Sequence, residues 1–341
     1  MDLIHSSGVL VIQHLQSNYK DYHDILDFMS SVGDPRNIFS LYFPLWFQLS
    51  QIVGTKMIWV AVIGDWFNLI FKWILFGQRP YWWVHETLFY QNNSLPQLEQ
   101  FHITCETGPG SPSGHAMGSS CVWYVMITSA LNFTRRLCDS STQGCQRFGL
   151  VWSFLWTAFW IIQISVGISR IFIATHFPHQ VILGVLAASL KVYLQTSFFL
   201  FSFAVSLYFL LKMIDIDLLW SIPKAKKWCA NPDWIHLDTT PFAGLVRNLG
   251  ALFGLGLAIN SQMFIHSCKG KNGYKTRFKL MCVAANLTSL QLYDFIKIPT
   301  HTEILFYTLS FCKSAAVPLS VVALIPYCVH LLIGDKERKL D

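Results

Sequence analysis

The sequence predicts an all-α protein that crosses a membrane several times as a helix bundle. Of its 341 residues, 53% are hydrophobic and only 13% are charged, with a mean hydropathy of +0.40. A soluble domain carries roughly 25% charged residues, so about half of the usual charge is missing. Several apolar runs also approach the ~20 residues that a helix needs to span a bilayer. These observations exclude an ordinary soluble domain.

Apolar runs define about nine predicted spans, and no soluble domain interrupts them. In order, they are Ile38–Val53, Met57–Phe76, Ala116–Leu131, Phe148–Ile168, Val181–Leu190, Thr196–Leu219, Pro241–Ile259, Phe278–Ile296 and Leu305–Ile333. The fifth run is short, so we expect a short helix that turns near residues 189–191. We predict a single membrane domain over residues 1–341. Its parts are a motif-bearing core (57–190), C-terminal helices (196–333) and a tail (334–341).

The basic residues predict how the chain is oriented. They concentrate in the loops after the third and seventh runs and in the tail: Arg135, Arg136, Arg147, Lys269, Lys271, Lys275, Arg277, Lys279, Lys336, Arg338 and Lys339. Loops rich in Lys and Arg stay in the cytosol. With nine spans, the N-terminus is then lumenal and the C-terminus cytosolic. Because the basic residues sit in separate loops, the net charge of +6 does not indicate nucleic-acid binding.

Two further features fit this orientation. Asn92 is the one glycosylation sequon that falls in a lumenal loop, so we expect a glycan there. Cys105 and Cys229 lie in loops and could pair if the lumenal side is oxidising. The nine cysteines show no spacing typical of a metal site.

A glycine-rich loop is the most informative local feature. Residues 106–114 contain three glycines, two prolines and two serines, and an apolar run follows His115 almost at once. Such a loop predicts a helix that begins at about His115. The unpaired N–H groups of a first helical turn favour an anion, and glycines let the backbone approach it. Ser113 and Gly114 therefore predict a seat for a phosphate group.

Cations and a second histidine arrive at the same membrane side. Lys72 shares a helix face with Asp65 and Asn68, and Arg79 follows where that helix ends. The end of the fourth run supplies Arg170, and His176 comes six residues later. Taken singly, each of these residues is more often a snorkelling or solvated side chain.

Together, these residue types suit phosphoryl transfer. Arginine binds a phosphoryl group through two hydrogen bonds and keeps its charge. Three cations neutralise the phosphoryl oxygens without a metal, and we expect neither a metal nor another cofactor. Phosphoryl transfer depends mainly on positioning and charge stabilisation. One histidine can attack phosphorus while the other protonates the leaving oxygen. The residues alone do not say which histidine attacks.

Three motifs resemble those of the type 2 phosphatidic acid phosphatase superfamily: Lys72-x6-Arg79-Pro80, Pro112-Ser113-Gly114-His115 and Ser169-Arg170-x5-His176. Longer strings, such as residues 60–66, 71–84 and 104–118, closely resemble the catalytic subunits of glucose-6-phosphatase. That resemblance extends over most of the chain.

The resemblance implies nine spans in the endoplasmic reticulum membrane and a lumenal site that hydrolyses glucose 6-phosphate. By motif position, it assigns His176 as the nucleophile that becomes a phosphohistidine, and His115 as the proton donor. It assigns phosphate binding to Lys72, Arg79 and Arg170. A lumenal site also implies a glucose-6-phosphate transporter as a partner.

The sequence departs from the family pattern in two places. Gln180 stands where the wider superfamily has an aspartate that orients the nucleophile, and we expect Asp34 to hold the His176 ring instead. The stretch between Gly184 and Lys191 is also shorter than in the family.

Two alternatives remain open at this stage. A lipid phosphate phosphatase shares the three motifs. A weakly active or inactive membrane protein that keeps the phosphate pocket would share them too.

Overall fold

In the computed structural model, the described residues are 1–34, 37–90, 94–137, 142–188, 206, 208–213, 216, 219–268, 276–296, 298–299 and 302–338. Over these residues the regular structure is entirely helical, and none of them forms a strand. The all-α class predicted from the sequence is confirmed.

The helices follow one another along the chain with short connections. They are α1 (Asp2–Asn18), α2 (His23–Val32), α3 (Phe43–Leu49), α4 (Gln51–Leu75), α5 (Pro80–Glu86), α6 (Gly114–Leu137), α7 (Thr142–Phe172), α8 (Pro178–Ala188), α9 (Ser221–Trp228), α10 (Pro241–Ile259), α11 (Gln262–Cys268), α12 (Thr276–Phe295), α13 (Glu303–Leu319) and α14 (Ile325–Arg338). Two π-helical segments, Ile38–Tyr42 and Ser320–Leu324, precede α3 and α14. Short 3-10 turns lie at Lys20–Tyr22, Leu88–Tyr90, Pro232–Trp234 and Leu237–Thr239.

Four helical segments of the described chain are long and apolar enough to cross a membrane. They are Gln51–Tyr90, Gln146–Phe172, Phe242–Ile259 and Glu303–Leu332. The chain is therefore a membrane protein, as its composition predicts. The predicted third and eighth runs also form helices, α6 with 24 residues and α12 with 20. The count of nine spans stays a prediction, because most of the sixth run and the predicted turn at residues 189–191 lie outside the described residues.

The predicted first run is not one continuous helix. α3 ends at Leu49, and Ser50 adopts an extended backbone (φ −152°, ψ 110°) before α4 begins at Gln51. The second helix thus begins six residues before the predicted Met57. Close packing explains the tight turn, since a Cβ on Gly54 would lie 2.6 Å from the Cα of Phe47.

The described helices group into two compact units. The first unit comprises residues 1–35 and 63–244 and contains every predicted site residue that the structure describes. Within it, α6 packs against α7 and α8, and α2 packs against α7. A Cβ on Gly184 of α8 would lie 2.7 Å from the carbonyl of Ser113, so the start of α6 and the side of α8 nearly touch.

A disulfide joins Cys105 to Cys229 within the first unit. It ties the loop that precedes α6 to the residue that follows α9. These are the two loop cysteines that the sequence indicates could pair. Disulfides persist in oxidising compartments, which favours a lumenal position for both loops.

The second unit comprises residues 36–62 and 245–341. Its core is apolar and includes Phe43, Phe47, Leu252, Leu255 and Val321. A Cβ on Gly250 of α10 would lie 2.5 Å from the carbonyl of Phe311, so α10 and α13 approach closely there. No residue predicted to bind phosphate lies in the described part of this unit.

Candidate active site

Helix ends bring the predicted site residues into one region of the first unit. Lys72 lies in the last turn of α4, and Arg79 precedes α5. His115 lies in the first turn of α6, and Arg170 in the last turn of α7. His176 follows in the loop before α8.

Backbone carbonyls fix the guanidinium of Arg79, which is fully buried. Its Nε donates to the carbonyl of Gly108 at 2.6 Å, and Nη1 donates to that of Thr175 at 3.1 Å. Nη2 donates to the carbonyl of Pro109 at 3.3 Å and to Oε2 of Glu106 at 2.9 Å. Arg79 thus joins the glycine-rich loop to the loop that carries His176.

Arg170 is also buried, and part of its donor capacity is unused. Nη1 donates to Oγ of Ser30 at 3.0 Å, and Nη2 makes a short ion pair with Oε1 of Glu106. Its Nε is buried and has no hydrogen-bond partner in the described structure. Asp34 lies within electrostatic range of this guanidinium.

The carboxylate of Glu106 lies between the two arginines and beside His115. One oxygen pairs with Arg79 and the other with Arg170, and Oε1 is 4.0 Å from Nδ1 of His115. Burial raises the pKa of Glu106, but the charges of the surrounding arginines and histidines outweigh it and hold the pKa well below its usual value. Tyr81 fixes this residue's backbone through a hydrogen bond from its hydroxyl to the Glu106 carbonyl at 3.0 Å.

Sequence analysis missed Glu106, although it begins the glycine-rich stretch. One signal could have found it. Three cations were predicted to converge with His115 and His176, and buried charges of one sign need a counter-charge. Glu106 is the acidic residue nearest in sequence to the predicted phosphate seat.

The geometry of His176 leaves one ring nitrogen without a hydrogen-bond partner in the described structure. Its Nδ1 lies 2.7 Å from the carbonyl oxygen of Gly110. A carbonyl only accepts hydrogen bonds, so Nδ1 carries the proton and Nε2 carries the lone pair. Nε2 is buried and has no hydrogen-bond partner in the described structure. Burial lowers the pKa of His176 well below its usual value, and the charge of Arg79 lowers it further, against the effect of Glu106.

The carbonyl of Gly110 therefore orients the His176 ring by accepting from Nδ1. The role of Asp34 in holding this ring stays a prediction, and its carboxylate lies within electrostatic range of Arg170. Gln180, at the position of the superfamily aspartate, accepts from the N–H of Phe177 and donates to the carbonyl of Gln78. Its side chain thus supports the loop, and it makes no hydrogen bond to the imidazole in the described structure.

Local backbone geometry explains why Gly110 is a glycine. Its N–H donates to the carbonyl of Gly77 at 2.7 Å. A Cβ at this position would lie 2.5 Å from the carbonyl oxygen of Gln78 and 2.9 Å from Oε1 of Gln180. No side chain fits there without a shift. Ala174, with φ of 57°, makes the left-handed turn that leads from the end of α7 to His176.

The start of α6 lies at Gly114, within one residue of the predicted start. Ser113 caps it, because its Oγ accepts from the N–H of Ala116 at 3.5 Å. The N–H of Ser113 donates to the carbonyl of Gln180, which joins this turn to α8. Asn68 secures the loop from α4 by donating to the carbonyl of Pro112 at 3.2 Å.

Lys72 supplies a third cation to the region. Its ammonium lies within electrostatic range of Arg79, Glu106 and Arg170. No hydrogen bond or ion pair engages it in the described part of the chain, so its three donors are available to a ligand. Asn92 lies outside the described residues. Among the residues that the structure describes, no group of three His, Cys, Asp or Glu side chains is arranged to bind a metal ion.

This arrangement has the parts that phosphoryl transfer requires. Three cations lie within electrostatic range of the His176 imidazole, and a second imidazole lies 4.0 Å from the Glu106 carboxylate. Negative charge that develops on a phosphoryl group would meet fixed positive groups in a region largely shielded from water.

Known proteins similar to this chain are phosphatases, in agreement with a site for phosphoryl transfer. The family model described as the PAP2 superfamily matches residues 53–204, which contain the three cations and both histidines. This part of the chain thus resembles the membrane phosphatases of the PAP2 superfamily.

Relatives that are similar over the full length of the chain show which family of phosphatases it belongs to. The chain is 67% identical over 357 residues to Glucose-6-phosphatase 2 of Mus musculus, covering 99% of this chain and 100% of that protein. It is 64% identical over 355 residues to Glucose-6-phosphatase 2 of Homo sapiens, covering 99% of each. It is 50% identical over 355 residues to Glucose-6-phosphatase catalytic subunit 1 of Canis lupus familiaris, covering 99% of this chain and 98% of that protein. The chain therefore belongs to the glucose-6-phosphatase family. No solved structure matched it.

The alignment also bears on the predicted shortening of the chain. It runs over 357 residues with the mouse relative, whereas this chain has 341, so this chain lacks some of the aligned positions. Most of the stretch where the shortening was predicted, between Gly184 and Lys191, lies outside the residues whose side chains are described.

Proposed function

We propose that the chain hydrolyses glucose 6-phosphate to glucose and phosphate at the lumenal face of the endoplasmic reticulum membrane. The observation that carries this proposal is the buried, unpartnered Nε2 of His176 in the same site as Arg79 and Arg170. The relatives that match over nearly the full length of the chain are named glucose-6-phosphatases. Their names support glucose 6-phosphate as the substrate.

In the first step, Nε2 of His176 attacks phosphorus and the bond between phosphorus and the ester oxygen breaks. The departing sugar oxygen takes a proton from His115, so glucose leaves and a phosphohistidine remains. In the second step, water attacks phosphorus while His115 accepts its proton. The phosphorus–nitrogen bond breaks, which restores His176 and releases phosphate.

The cations stabilise both steps. Lys72, Arg79 and Arg170 neutralise charge on the phosphoryl oxygens as it is redistributed in the transition state. The first turn of α6, which begins with Ser113 and Gly114, adds backbone N–H groups and the positive end of a helix dipole. The low pKa of His176 keeps its imidazole neutral, which a nucleophile requires.

Three observations support the lumenal position. The charge distribution of the loops predicts it, and the disulfide between Cys105 and Cys229 requires an oxidising compartment to persist. The predicted sequon at Asn92 lies in the same loop as Cys105. A lumenal site needs a route for an anionic sugar phosphate, so we propose a glucose-6-phosphate transporter as the functional partner.

This chain lacks some positions that its relatives have, and this favours a second candidate function. The chain would then keep the phosphate pocket but hydrolyse substrate slowly or not at all. Fold alone does not guarantee activity. Measured turnover decides between the two, whereas inhibitor binding alone would fit both.

The test is a phosphatase assay on microsomes that contain the wild type or His176→Ala. We expect wild-type microsomes to hydrolyse glucose 6-phosphate, and to hydrolyse mannose 6-phosphate well only after permeabilisation. The variant should be inactive in both states. Equal hydrolysis by both proteins would contradict the proposal, and preferential hydrolysis of dioleoyl phosphatidate in detergent would indicate a lipid phosphate phosphatase instead.

A further inference from the structure

Glu106 occupies the position that a phosphate group would take on the two arginines. Its carboxylate accepts from Nη2 of Arg79 at 2.9 Å through one oxygen and from Nη2 of Arg170 through the other. Two oxygens of a phosphoryl group bind a pair of guanidinium groups in the same manner. The side chain is 18% exposed, whereas Arg79 is 0% exposed and Arg170 is 1% exposed, so Glu106 lies between the arginines and solvent.

Arg79 has little donor capacity left while Glu106 is in place. Three of its N–H groups donate to the carbonyls of Gly108, Pro109 and Thr175, and another donates to Glu106. A guanidinium has five N–H donors. A phosphate that binds Arg79 through two hydrogen bonds must therefore replace one of the present acceptors. The side chain of Glu106 can move away more easily than the loop carbonyls.

His115 is a nearby cationic partner for the displaced carboxylate. Nδ1 of His115 is 4.0 Å from Oε1 of Glu106, just beyond hydrogen-bond distance. A small rotation of the side chain would close that gap. A carboxylate that accepts from Nδ1 leaves the other nitrogen, Nε2, to hold the proton that the departing oxygen takes.

We propose that Glu106 is an internal anion that holds the phosphate-binding arginines before substrate arrives, and that the substrate phosphate displaces it onto His115. Glu106 is then a positioning residue that links phosphate binding to the orientation of the proton donor. This inference rests on the proposed function, because it assigns the arginines to phosphate and His115 to the acid step.

Two effects of removing the charge should oppose each other. Without the carboxylate, phosphate no longer competes for the arginines, so the affinity for inorganic phosphate and orthovanadate should rise. Without its displaced partner, His115 is held less well, so kcat should fall. A residue that only supported the fold would weaken binding and turnover together.

The experiment compares the purified full-length wild type, Glu106→Gln and Glu99→Gln in detergent. Glu99 is the matched control, because its carboxylate is 45% exposed and its ion pair with Lys20, at 3.6 Å, lies on the surface. Thermal unfolding with increasing orthovanadate measures binding without turnover. We expect Glu106→Gln to bind orthovanadate about tenfold more tightly than the wild type, with kcat reduced about tenfold or more, and Glu99→Gln to match the wild type. Unchanged or weaker vanadate binding by Glu106→Gln would overturn the inference.

A second measurement uses the wild type alone and applies even if the variant does not fold. A structure with vanadate bound should show the Glu106 carboxylate detached from both arginines and within hydrogen-bond distance of His115. A carboxylate that still bridges both arginines beside bound vanadate would overturn the inference. Neither the orthovanadate titration nor the vanadate-bound structure depends on turnover of glucose 6-phosphate, so failure of the proposed function would be visible separately in the phosphatase assay.

Discussion

The carbonyl oxygen of Gly110 lies 2.7 Å from Nδ1 of His176 and thereby determines which nitrogen of the imidazole can attack phosphorus. This hydrogen bond connects the loop before α6 to the loop before α8. It places the proton on Nδ1 and the lone pair on the buried Nε2. The nucleophile therefore depends on the backbone of a glycine that is 66 residues away in the sequence.

Substitution of Gly110 should damage catalysis through this carbonyl. A Cβ in Gly110→Ala would lie 2.5 Å from the Gln78 carbonyl oxygen, so the loop must move. We expect kcat to fall about 100-fold, since a displacement near 1 Å can have that effect. Steady-state kinetics on the purified variant checks this.

The matched control is Gly149→Ala, at an exposed position of α7 where a Cβ would meet nothing within 4 Å. It should keep full activity and should stabilise the helix by up to ~1 kcal/mol. Wild-type kcat in Gly110→Ala would show that the Gly110 carbonyl does not position His176.

Lys72 and Arg79 should respond in different ways to substitution. Arg79→Lys loses a set of hydrogen bonds to backbone carbonyls that a lysine cannot reproduce, so the free energy of unfolding should fall by about 3 kcal/mol or more. Lys72 has no hydrogen-bond partner among the described residues. Lys72→Met should therefore leave stability unchanged or higher, while phosphate affinity falls about ten- to 100-fold.

Chemical denaturation and competitive inhibition by phosphate measure these two quantities. Equal stability losses in the two variants would contradict the different roles assigned to the two cations.

His5 should make stability depend on pH. Its ring stacks on Phe177 with centroids 4.4 Å apart, and its Nδ1 is buried without a hydrogen-bond partner in the described structure. Burial and, to a smaller extent, the charge of His179 lower the pKa of His5 to about 4, against the opposing charge of Asp2. Below about pH 6.5 the His5 imidazole binds a proton in the unfolded chain but stays neutral in the folded protein until the pH approaches 4. Stability from His5 is thus complete above pH 6.5 and is lost as the pH falls toward 4.

His5→Phe keeps an aromatic ring on Phe177 and removes this titration. We expect its unfolding temperature to decline less than that of the wild type between pH 6.5 and pH 4. His14→Phe, on the exposed face of α1, is the control and should follow the wild-type curve. Identical pH profiles for His5→Phe and the wild type would show that His5 does not contribute.

The helical membrane class and the family could be predicted from the sequence because their signals are local. Composition and apolar runs indicate helices that span a membrane, and the loop positions of Cys105 and Cys229 show that the two cysteines could pair. The spacing of the site residues identifies the motifs even when the three-dimensional arrangement of these residues is unknown. These residues are Arg79, His115, Arg170 and His176.

The partners within the site could not be predicted, because they depend on how distant loops close in space. The His176 ring, for example, is held by a backbone carbonyl, that of Gly110. No motif marks a carbonyl, since every residue has one. Glu106 was missed for a related reason, because only the fold shows that its two oxygens face two different arginines. Hydropathy also could not predict the break at Ser50, because the apolar run continues through this residue.

The most direct test of the account is to trap the covalent intermediate. Purified wild-type protein is mixed briefly with glucose 6-phosphate that carries a radioactive phosphate, and the reaction is quenched in alkali. We expect a labelled protein whose phosphate is stable in alkali and labile in acid, located at His176 by peptide mapping and absent from His176→Ala. A wild type that turns over substrate without this label, or with a hydroxylamine-labile acyl phosphate, would contradict the assignment of His176 as the nucleophile.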